Sequence, residues 1–406
     1  MIRLDVSTSH SKVESNFVQL YEQYIRKDVG RTKILSNFKL KSSIAFNEAL
    51  NSYDTNGFDH IGTGSYADVF RQQKQQGFIF KLIRLLPEYL LERIQIPALN
   101  RCTKYIDAFS EFQISSALSK LNNRITKDFP FSCQMFPIIN QGYLTYGPLP
   151  DYFVLSPEEK SSQNSENIYS DYFLPIEQEN MVIVMEDCGQ PMRDVIDTAH
   201  PYVLLSIVKQ IVIGFMIAET ALEFEHRDLH SGNVLLQPCQ QEFIIYQLHR
   251  KLIRVPSYGY RVKIIDTTFS RMRIKQKVYF TDLSHLFANF SDNMTELKMQ
   301  DQCYEQMSRV VDQNWQNFYP KTNLIWIKYV IHKLLRCKAL QVSHSGSGAG
   351  GGGGGGGGNR SQSTSKVKDV LNGLNRLMDK CTNSSSCFNA IIRDHSLNDC
   401  AKIIIN

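Results

Sequence analysis

The residue types best placed to do chemistry lie in the segment 226–233, which reads HRDLHSGN. Transfer of a phosphoryl group to a hydroxyl needs a carboxylate that orients the attacking oxygen and accepts its proton, and an amide oxygen that helps to hold a magnesium ion. Asp228 and Asn233 supply these groups five residues apart, and an apolar stretch (residues 234–236) follows at once. The segment therefore predicts a phosphoryl-transfer loop, with Asp228 as the base and Asn233 as a metal ligand.

A second acid ends a short apolar strand further along the chain. Residues 262–265 (VKII) lead into Asp266, the place where such an enzyme puts the carboxylate that binds magnesium and so bridges the phosphates. The usual Asp-Phe-Gly triplet is replaced by Asp-Thr-Thr, and taken alone the pattern also fits an acid that caps a strand end. Its position after Asn233 favours a metal ligand.

Upstream, residues 61–70 (IGTGSYADVF) resemble a glycine-rich phosphate loop between two strands. Gly62 and Gly64 would let backbone amides approach the phosphates, because neither residue carries a Cβ. Ile61 and Val69 would flank the nucleotide. The third glycine of the usual pattern is an alanine, so the segment by itself also fits an ordinary hairpin turn.

An alternating apolar strand at 78–83 (FIFKLI) carries one lysine, Lys81. A buried lysine is costly unless it is paired, so we expect Lys81 to meet the nucleotide phosphates and a glutamate. Glu111 is the candidate partner, within residues 109–118, where apolar side chains recur at helical spacing. The alternative for Glu111 is a solvated helix face.

The hinge between two lobes is predicted after the apolar strand 182–186 (VIVME). Met185 would lie at the back of a nucleotide pocket, and backbone groups near the hinge would meet the adenine edge. The predicted hinge residues are Glu186, Asp187, Cys188 and Gly189. Without its neighbours in the chain, this segment would fit one more buried strand.

These signals follow one another in the chain order of a protein kinase. They predict an α+β, bilobal protein-kinase-like fold with a small β-rich N-lobe and a larger helical C-lobe. We expect an N-terminal extension at 1–57, the N-lobe at 58–188 and the C-lobe at 189–406. Residues 343–365 are Gly/Ser-rich and predict a disordered insertion in the C-lobe, and residues 240–260 predict an inserted hairpin or loop.

The composition is that of a chain able to bury a sizeable core, with 42% hydrophobic and 21% charged residues in 406. The net charge of +5 is modest, so direct recognition of a DNA sequence is not expected. The nine cysteines show no metal-site spacing and suggest reduced thiols in an intracellular protein. The longest apolar tract, 203–218, is interrupted by polar residues and is too short for a bilayer, so no membrane association is expected.

Several of these segments resemble haspin, a family of atypical serine/threonine protein kinases. In residues 224–235, His230 stands where other kinases have a lysine, and residues 264–271 (IIDTTFSR) resemble the family's IIDYTLSR. The family's helix start HPxxNxxWxxY is similar to the segment with Tyr319, Pro320, Asn323, Trp326 and Tyr329. The resemblance covers roughly residues 58–400.

The resemblance implies a kinase that uses ATP and Mg²⁺ and phosphorylates a threonine near the N-terminus of the histone three tail. It also implies activity without activation-loop phosphorylation, and a monomer in the nucleus on mitotic chromosomes, with chromatin-associated proteins as further partners. By the same resemblance Lys81 and Glu111 form an ion pair, Asp228 is the base, and Asn233 and Asp266 bind magnesium.

Three positions depart from the family pattern. Ser231 replaces a tryptophan of the catalytic loop, and Thr267 replaces a tyrosine whose ring could help to hold the Asp266 segment. The family has an acidic run after Asp-Val-Ser that would pair with basic side chains of the histone tail, whereas Ser284 is followed by His-Leu-Phe. Acids that could substitute are Asp292, Glu296 and Asp301.

Two other functions fit part of this pattern. Small-molecule phosphotransferases of the aminoglycoside-kinase type also favour a histidine after Asp-Leu, but the helix of Glu111, Arg227 and the helix with Asn323 and Trp326 favour a haspin-like kinase. A pseudokinase scaffold is the non-enzymatic alternative, and the presence of all five phosphoryl-transfer residues weighs against it.

Overall fold

The computed structural model describes residues 10–53, 57–64, 66–73, 77–93, 101–122, 130–147, 149–150, 153, 178–284, 299–341, 357–398 and 402–405. The chain divides into two compact units. The first unit comprises Met1–Gln113 and Ile138–Asp187, and the second comprises Ile114–Pro137 and Cys188–Asn406. The first is rich in β-strands and the second in helices, which confirms the predicted fold class.

The first unit is built on a seven-stranded sheet. Its strands are β1 (Ile44–Ala45), β2 (Phe58–Thr63), β3 (Ala67–Gln72), β4 (Phe78–Leu86), β5 (Thr103–Lys104), β7 (Ile139–Tyr146) and β8 (Glu179–Glu186). They run in the order β1-β7-β8-β4-β3-β2, and β5 pairs with β4. Strand β4 lies in the middle and is buried from its second residue to its last, which explains its nearly continuous apolar sequence.

Among the described residues, five helices accompany this sheet: α1 (His10–Ile25), α2 (Val29–Phe38), α3 (Phe46–Ala49), α4 (Glu88–Arg93) and α5 (Tyr105–Ser119), the last of which continues into the second unit after Gln113. Helix α2 packs on α5 so closely that a Cβ at Gly30 would lie 2.4 Å from the backbone nitrogen of Ile106. Arg31 binds Glu179 of β8 through two hydrogen bonds of 2.9 and 2.7 Å. The segment predicted as an N-terminal extension is therefore packed against the rest of the first unit.

The helices of the second unit include one long buried helix. They are α6 (Met192–Val195), α7 (Pro201–Leu222), α8 (Met299–Val311), α9 (Lys321–Leu335), α10 (Lys338–Gln341), α11 (Gly357–Lys380), α12 (Ser384–Arg393) and α13 (His395–Asn398). Helix α7 is longer than the apolar tract noted in the sequence and, by length and composition, could cross a membrane. Since 94% of its most apolar window is buried inside the unit, it has the burial of a core helix.

In the described part of the second unit there are also three small sheets. Their strands are β6 (Phe131–Ser132), β9 (Gln190–Pro191), β10 (Val234–Pro238), β11 (Phe243–Leu248), β12 (Lys251–Pro256), β13 (Tyr260–Ile264), β14 (Arg271–Ile274), β15 (Lys277–Phe280) and β16 (Ile404–Ile405). Strands β11 and β12 form the hairpin predicted within residues 240–260, and one face of it is buried through Ile244, Tyr246, Ile253 and Val255.

The structure describes only the last part of the predicted disordered insertion at 343–365. Residues 342–356 lie outside the described part of the chain, but helix α11 begins at Gly357, eight residues before the predicted boundary. Adding turns to an existing helix is far easier than starting one. The buried face of the helix begins at Thr364 and Val367. The N-terminal turns extend from this packed part of the helix.

Candidate active site

The predicted base, Asp228, lies two residues after the buried His226. The backbone N–H of Asp228 donates to Nδ1 of His226 (3.2 Å), so the ring proton is on Nε2, which donates to the carbonyl of Ile265 (3.0 Å). Burial lowers the pKa of His226 to about 4, because a charged imidazole would lose its water. The neutral ring therefore ties the catalytic loop to the segment that leads into Asp266.

Arg227 combines an unusual backbone conformation with a buried ion pair. Its φ is +67°, in the left-handed region that side chains other than glycine rarely adopt. Its side chain, fully buried, donates from Nε and Nη2 to the two carboxylate oxygens of Glu225, both at 3.2 Å. Glu225 also accepts from the backbone N–H of Tyr319 (2.8 Å) and the hydroxyl of Thr322 (2.8 Å).

Asn323, noted in the sequence only as part of a motif, fixes the start of the loop from helix α9. Its Oδ1 accepts from the backbone N–H of His226 (3.0 Å), and its Nδ2 donates to the carbonyl of Phe224 (2.9 Å) and to Glu219 (2.9 Å). Asn323 is completely buried. Glu219 in turn accepts from the backbone N–H and hydroxyl of Ser384, so the loop is linked to the C-terminal helices.

The two predicted metal ligands lie side by side because of strand pairing. Val234 of β10 pairs with Ile264 of β13, and the N–H of Ile265 donates to the carbonyl of Asn233 (3.0 Å). Asn233 donates from Nδ2 to the carbonyl of Asp228 (2.9 Å), and this bond does not use its amide oxygen, the atom predicted to bind the metal. Asp266 has a φ of +63°. The structure thus places Asp228, Asn233 and Asp266 together, as predicted.

This donor set fits magnesium, which takes one or two protein oxygen ligands and completes its shell with water and phosphate oxygens. Asn233 and Asp266 supply one amide and one carboxylate oxygen. Within the described residues there is no group of three or more His, Cys, Asp or Glu side chains that could hold a metal. A magnesium site that is completed by nucleotide and water oxygens does not need such a group.

The Asp266 segment is held by hydroxyl groups in place of the aromatic ring that Thr267 lacks. The hydroxyls of Thr267 and Ser115 are 2.8 Å apart. Thr268 donates to Oδ1 of Asp266 from its N–H (3.2 Å) and its hydroxyl (2.5 Å), and Thr281 donates to the carbonyl of Thr268 (2.7 Å). Loss of the tyrosine at 267 is therefore accompanied by a local polar network.

Tyr304 of helix α8 was not identified from the sequence. Its hydroxyl donates to Oδ1 of Asp228 in a short hydrogen bond. An aromatic residue at helical spacing is usually part of a core, and no local pattern distinguishes Tyr304 from the other tyrosines. The acid Asp301 lies in the first turn of the same helix, whereas Asp292 and Glu296 lie outside the described residues.

In the first unit, the structure confirms the geometry of the predicted ion pair. Lys81 on β4 donates from Nζ to Oε1 of Glu111 on α5 at 2.6 Å. Their side chains are only 10% and 4% exposed. The pairing of Lys81 with Val69 on one side and Ile183 on the other places the lysine in the centre of the sheet.

The predicted phosphate loop joins β2 to β3. Among the described residues, a Cβ at Gly62 would meet no heavy atom within 4 Å, and one at Gly64 would meet only the carbonyl of Ala67, at 3.6 Å. Within that part of the chain, nothing crowds the backbone at these two glycines. Ile61 on β2 is 43% exposed and Val69 on β3 is partly buried, and both remain predicted nucleotide contacts.

A buried charge cluster next to this loop was missed in the sequence. Asp68 of β3 accepts from Arg84 (2.6 Å), Arg101 (2.7 Å) and the hydroxyl of Thr63 (3.1 Å). Burial alone would raise the pKa of Asp68, but the two guanidinium groups reverse this and lower it below the usual range. The cluster holds the two strand ends beside the loop at Gly64.

The predicted hinge coincides with a boundary between the units, which lies between Asp187 and Cys188. Glu186 forms two hydrogen bonds with the backbone of Ile138. Met185 pairs with Ile79 and Ile139 in the sheet. Gly189 has a φ of +88°, and a Cβ there would lie 2.5 Å from the carbonyl oxygen of Leu236, so only glycine fits.

Comparison with known proteins finds similarity to haspin kinases in both a family model and individual relatives. The family model described as haspin like kinase domain matches residues 11–348. A serine/threonine-protein kinase haspin homolog of Drosophila melanogaster is 28% identical over 303 residues, covering 72% of this chain and 50% of the relative. The Arabidopsis thaliana homolog is 26% identical (70% and 45% covered), and the Mus musculus haspin is 26% identical (75% and 39% covered). The chain thus spans half or less of the length of these relatives.

Proposed function

We propose that this chain, which belongs to the haspin-like kinase family, is an active serine/threonine protein kinase that transfers the γ-phosphate of ATP to a threonine of the histone three tail. The observation that carries the proposal is the grouping of Asp228, Asn233 and Asp266 by strand pairing and hydrogen bonds. A carboxylate base beside an amide and a carboxylate ligand is the set that phosphoryl transfer needs.

Magnesium, when bound with ATP, neutralises charge that develops on the phosphate oxygens. Asn233 and Asp266 are the residues that would hold it. Both are restrained by hydrogen bonds within the chain, Asn233 by its bond to the Asp228 carbonyl and Asp266 by Thr268. Such preorganisation means that little rearrangement is needed when charge develops.

Asp228 would accept the proton of the substrate hydroxyl. Its side chain is 17% exposed, so it is accessible to a protein substrate while its backbone is fixed by His226 and Asn233. Phosphorylation orders kinase activation loops through new arginine–phosphate pairs, whereas Arg227 is already paired with Glu225 just before the loop. This internal pairing supports activity without activation-loop phosphorylation.

Lys81 would bind the α- and β-phosphates of ATP. The short bond to Glu111 orients its ammonium group, and a buried ammonium gains more from an anionic ligand than an exposed one does. Gly62 and Gly64 would supply backbone N–H groups to the same phosphates, and residues 185–189 would contact the adenine.

The choice of a histone tail, and with it a nuclear and chromosomal location, rests on the family resemblance. Chromatin-associated proteins would be its partners. The acidic run that pairs with the basic tail in the family is missing after Ser284, so tail recognition would use other acids. Asp301, in the first turn of α8, is the candidate that lies within the described residues.

The test is phosphate transfer from ATP with magnesium onto a panel of unmodified histone-tail peptides, with the modified residue located by mass spectrometry. D228N should lower turnover by about 10²–10⁴, the range for loss of a general base, and leave ATP binding intact. D379N is the matched control, because the side chain of Asp379 is 62% exposed and pairs with Lys328 at the surface. Transfer to a small-molecule hydroxyl but to no peptide, or ATP-induced stabilisation with no transfer at all, would contradict the proposal.

A further inference from the structure

Tyr304 is held in place by aromatic packing on the second unit. Its ring lies edge-on against Trp326 of α9, with centroids 5.1 Å apart and planes at 74°, and a further contact is made with Phe269 at 6.4 Å. Trp326 is fully buried. The position of the Tyr304 ring, and hence of its hydroxyl, is therefore set by the packing of α8 on α9.

The hydroxyl is aimed at the predicted base. It donates to Oδ1 of Asp228, and Gln300 one turn earlier donates to the tyrosine oxygen (3.3 Å). Burial and the neighbouring carboxylate raise the pKa of Tyr304 well above its usual range. The tyrosine therefore keeps its proton and acts as the donor, while Asp228 accepts.

A carboxylate on a short side chain can rotate about two bonds, and an anchored oxygen removes that freedom. Fixing Oδ1 also fixes the position of Oδ2, which lies 3.9 Å from Nε2 of His230. A base within hydrogen-bond reach of the reacting hydroxyl contributes most when it is held in that geometry.

We propose that Tyr304 is a positioning residue for phosphoryl transfer: its hydroxyl holds one oxygen of Asp228 so that the carboxylate presents the other to the substrate hydroxyl. This inference rests on the proposed role of Asp228 as base. Helix α9 restrains the backbone of the same loop through Asn323, and helix α8 restrains the carboxylate through Tyr304. The base is thus held at two points by two packed helices.

Y304F tests this directly, because phenylalanine keeps the ring against Trp326 and removes only the hydroxyl. We expect kcat for peptide phosphorylation to fall about 10- to 100-fold, the effect of losing one hydrogen bond to a charged group. The KM for ATP should change less than about twofold, because Tyr304 does not act on nucleotide binding. A merely structural role would instead lower the melting temperature together with kcat.

Y329F is the matched control. Tyr329 also lies edge-on against Trp326, at 5.5 Å and 67°, and is buried, so this variant removes a hydroxyl from the same aromatic cluster. Its kcat should match the wild type. Equal losses in Y304F and Y329F would overturn the inference.

A double variant separates the inference from the proposed function. In a D228N background, Y304F should cause no further loss of turnover, since the anchored base is already gone. If D228N lowers turnover by the expected factor of about 10²–10⁴ but kcat of the Y304F single variant is unchanged or increased, only the proposed role of Tyr304 is overturned. Full turnover in D228N would overturn the role of the base and, with it, this inference.

Discussion

Glu225 is a fully buried carboxylate whose loss should destabilise the second unit strongly. Neither its side chain nor that of Arg227 is exposed to solvent. E225Q would leave the guanidinium of Arg227 buried without an opposite charge, and would weaken the acceptor for the N–H of Tyr319 and the hydroxyl of Thr322. Breaking a buried pair by removing one partner costs about 3–5 kcal/mol.

That cost is a large fraction of the about 5–15 kcal/mol by which a folded domain is stable. With a urea dependence of about 2 kcal/mol per molar, the unfolding midpoint should fall by about 2 M. The assay is tryptophan fluorescence during urea unfolding. The chain has two tryptophans, Trp315 and Trp326, and both are buried in the second unit, so the signal reports on that unit alone.

E242Q is the control, because it makes the same chemical change at an exposed position of the same unit. Its effect should stay within about 0.5 kcal/mol. The double variant E225Q/R227M should be more stable than E225Q by about 1–3 kcal/mol, since it removes the uncompensated charge. An E225Q midpoint equal to that of E242Q would refute the view that this ion pair holds the left-handed Arg227.

Three further predictions concern other parts of the site. The free energy of unfolding of the second unit should fall by about 2 kcal/mol between pH 7 and pH 5. The pKa of His226 is lowered from 6.5 to about 4 in the folded chain, so the imidazole of the unfolded chain takes up a proton at a higher pH than that of the folded chain. H226Q should make the free energy of unfolding less dependent on pH, and an unchanged slope would contradict the reasoning. K81M should lower turnover at least about tenfold, because it removes the cation that orients the phosphates, and full activity in a peptide-phosphorylation assay would exclude Lys81 from this role. G189A should destabilise the chain by about 1–3 kcal/mol in thermal unfolding, because alanine is strained at a φ of +88° and its Cβ would meet Leu236; a melting temperature equal to that of the wild type would show that the backbone adjusts freely.

The sequence predicted which side chains of each unit would lie close together. An apolar strand with one lysine and a helix of suitable spacing predict the pairing of Lys81 with Glu111, and the observed bond is 2.6 Å. The order of strand, loop and strand around Asn233 and Asp266 is likewise predictable, because strand pairing follows from short apolar runs joined by polar segments. The fold class and the haspin-like family follow from the same residues.

Other features were misjudged or missed for identifiable reasons. The predicted start of helix α11 was too late, because glycine has a low helix propensity that packing further along the helix overrides at Gly357. Thr267 was interpreted as a loss, yet its hydroxyl lies 2.8 Å from that of Ser115. A hydroxyl can replace the support of an aromatic ring only when a partner is nearby, and the sequence does not show which residues are near.

By itself, the sequence predicted the candidate groups for phosphoryl transfer and the order in which they occur, because that chemistry restricts residue type and local spacing. Only the tertiary structure decided what holds those groups in position. Asn323 reaches His226 across 97 positions, and Tyr304 reaches Asp228 across 76. Such contacts depend on how α8 and α9 pack against the catalytic loop, and packing between distant segments leaves no periodic or local pattern in the chain.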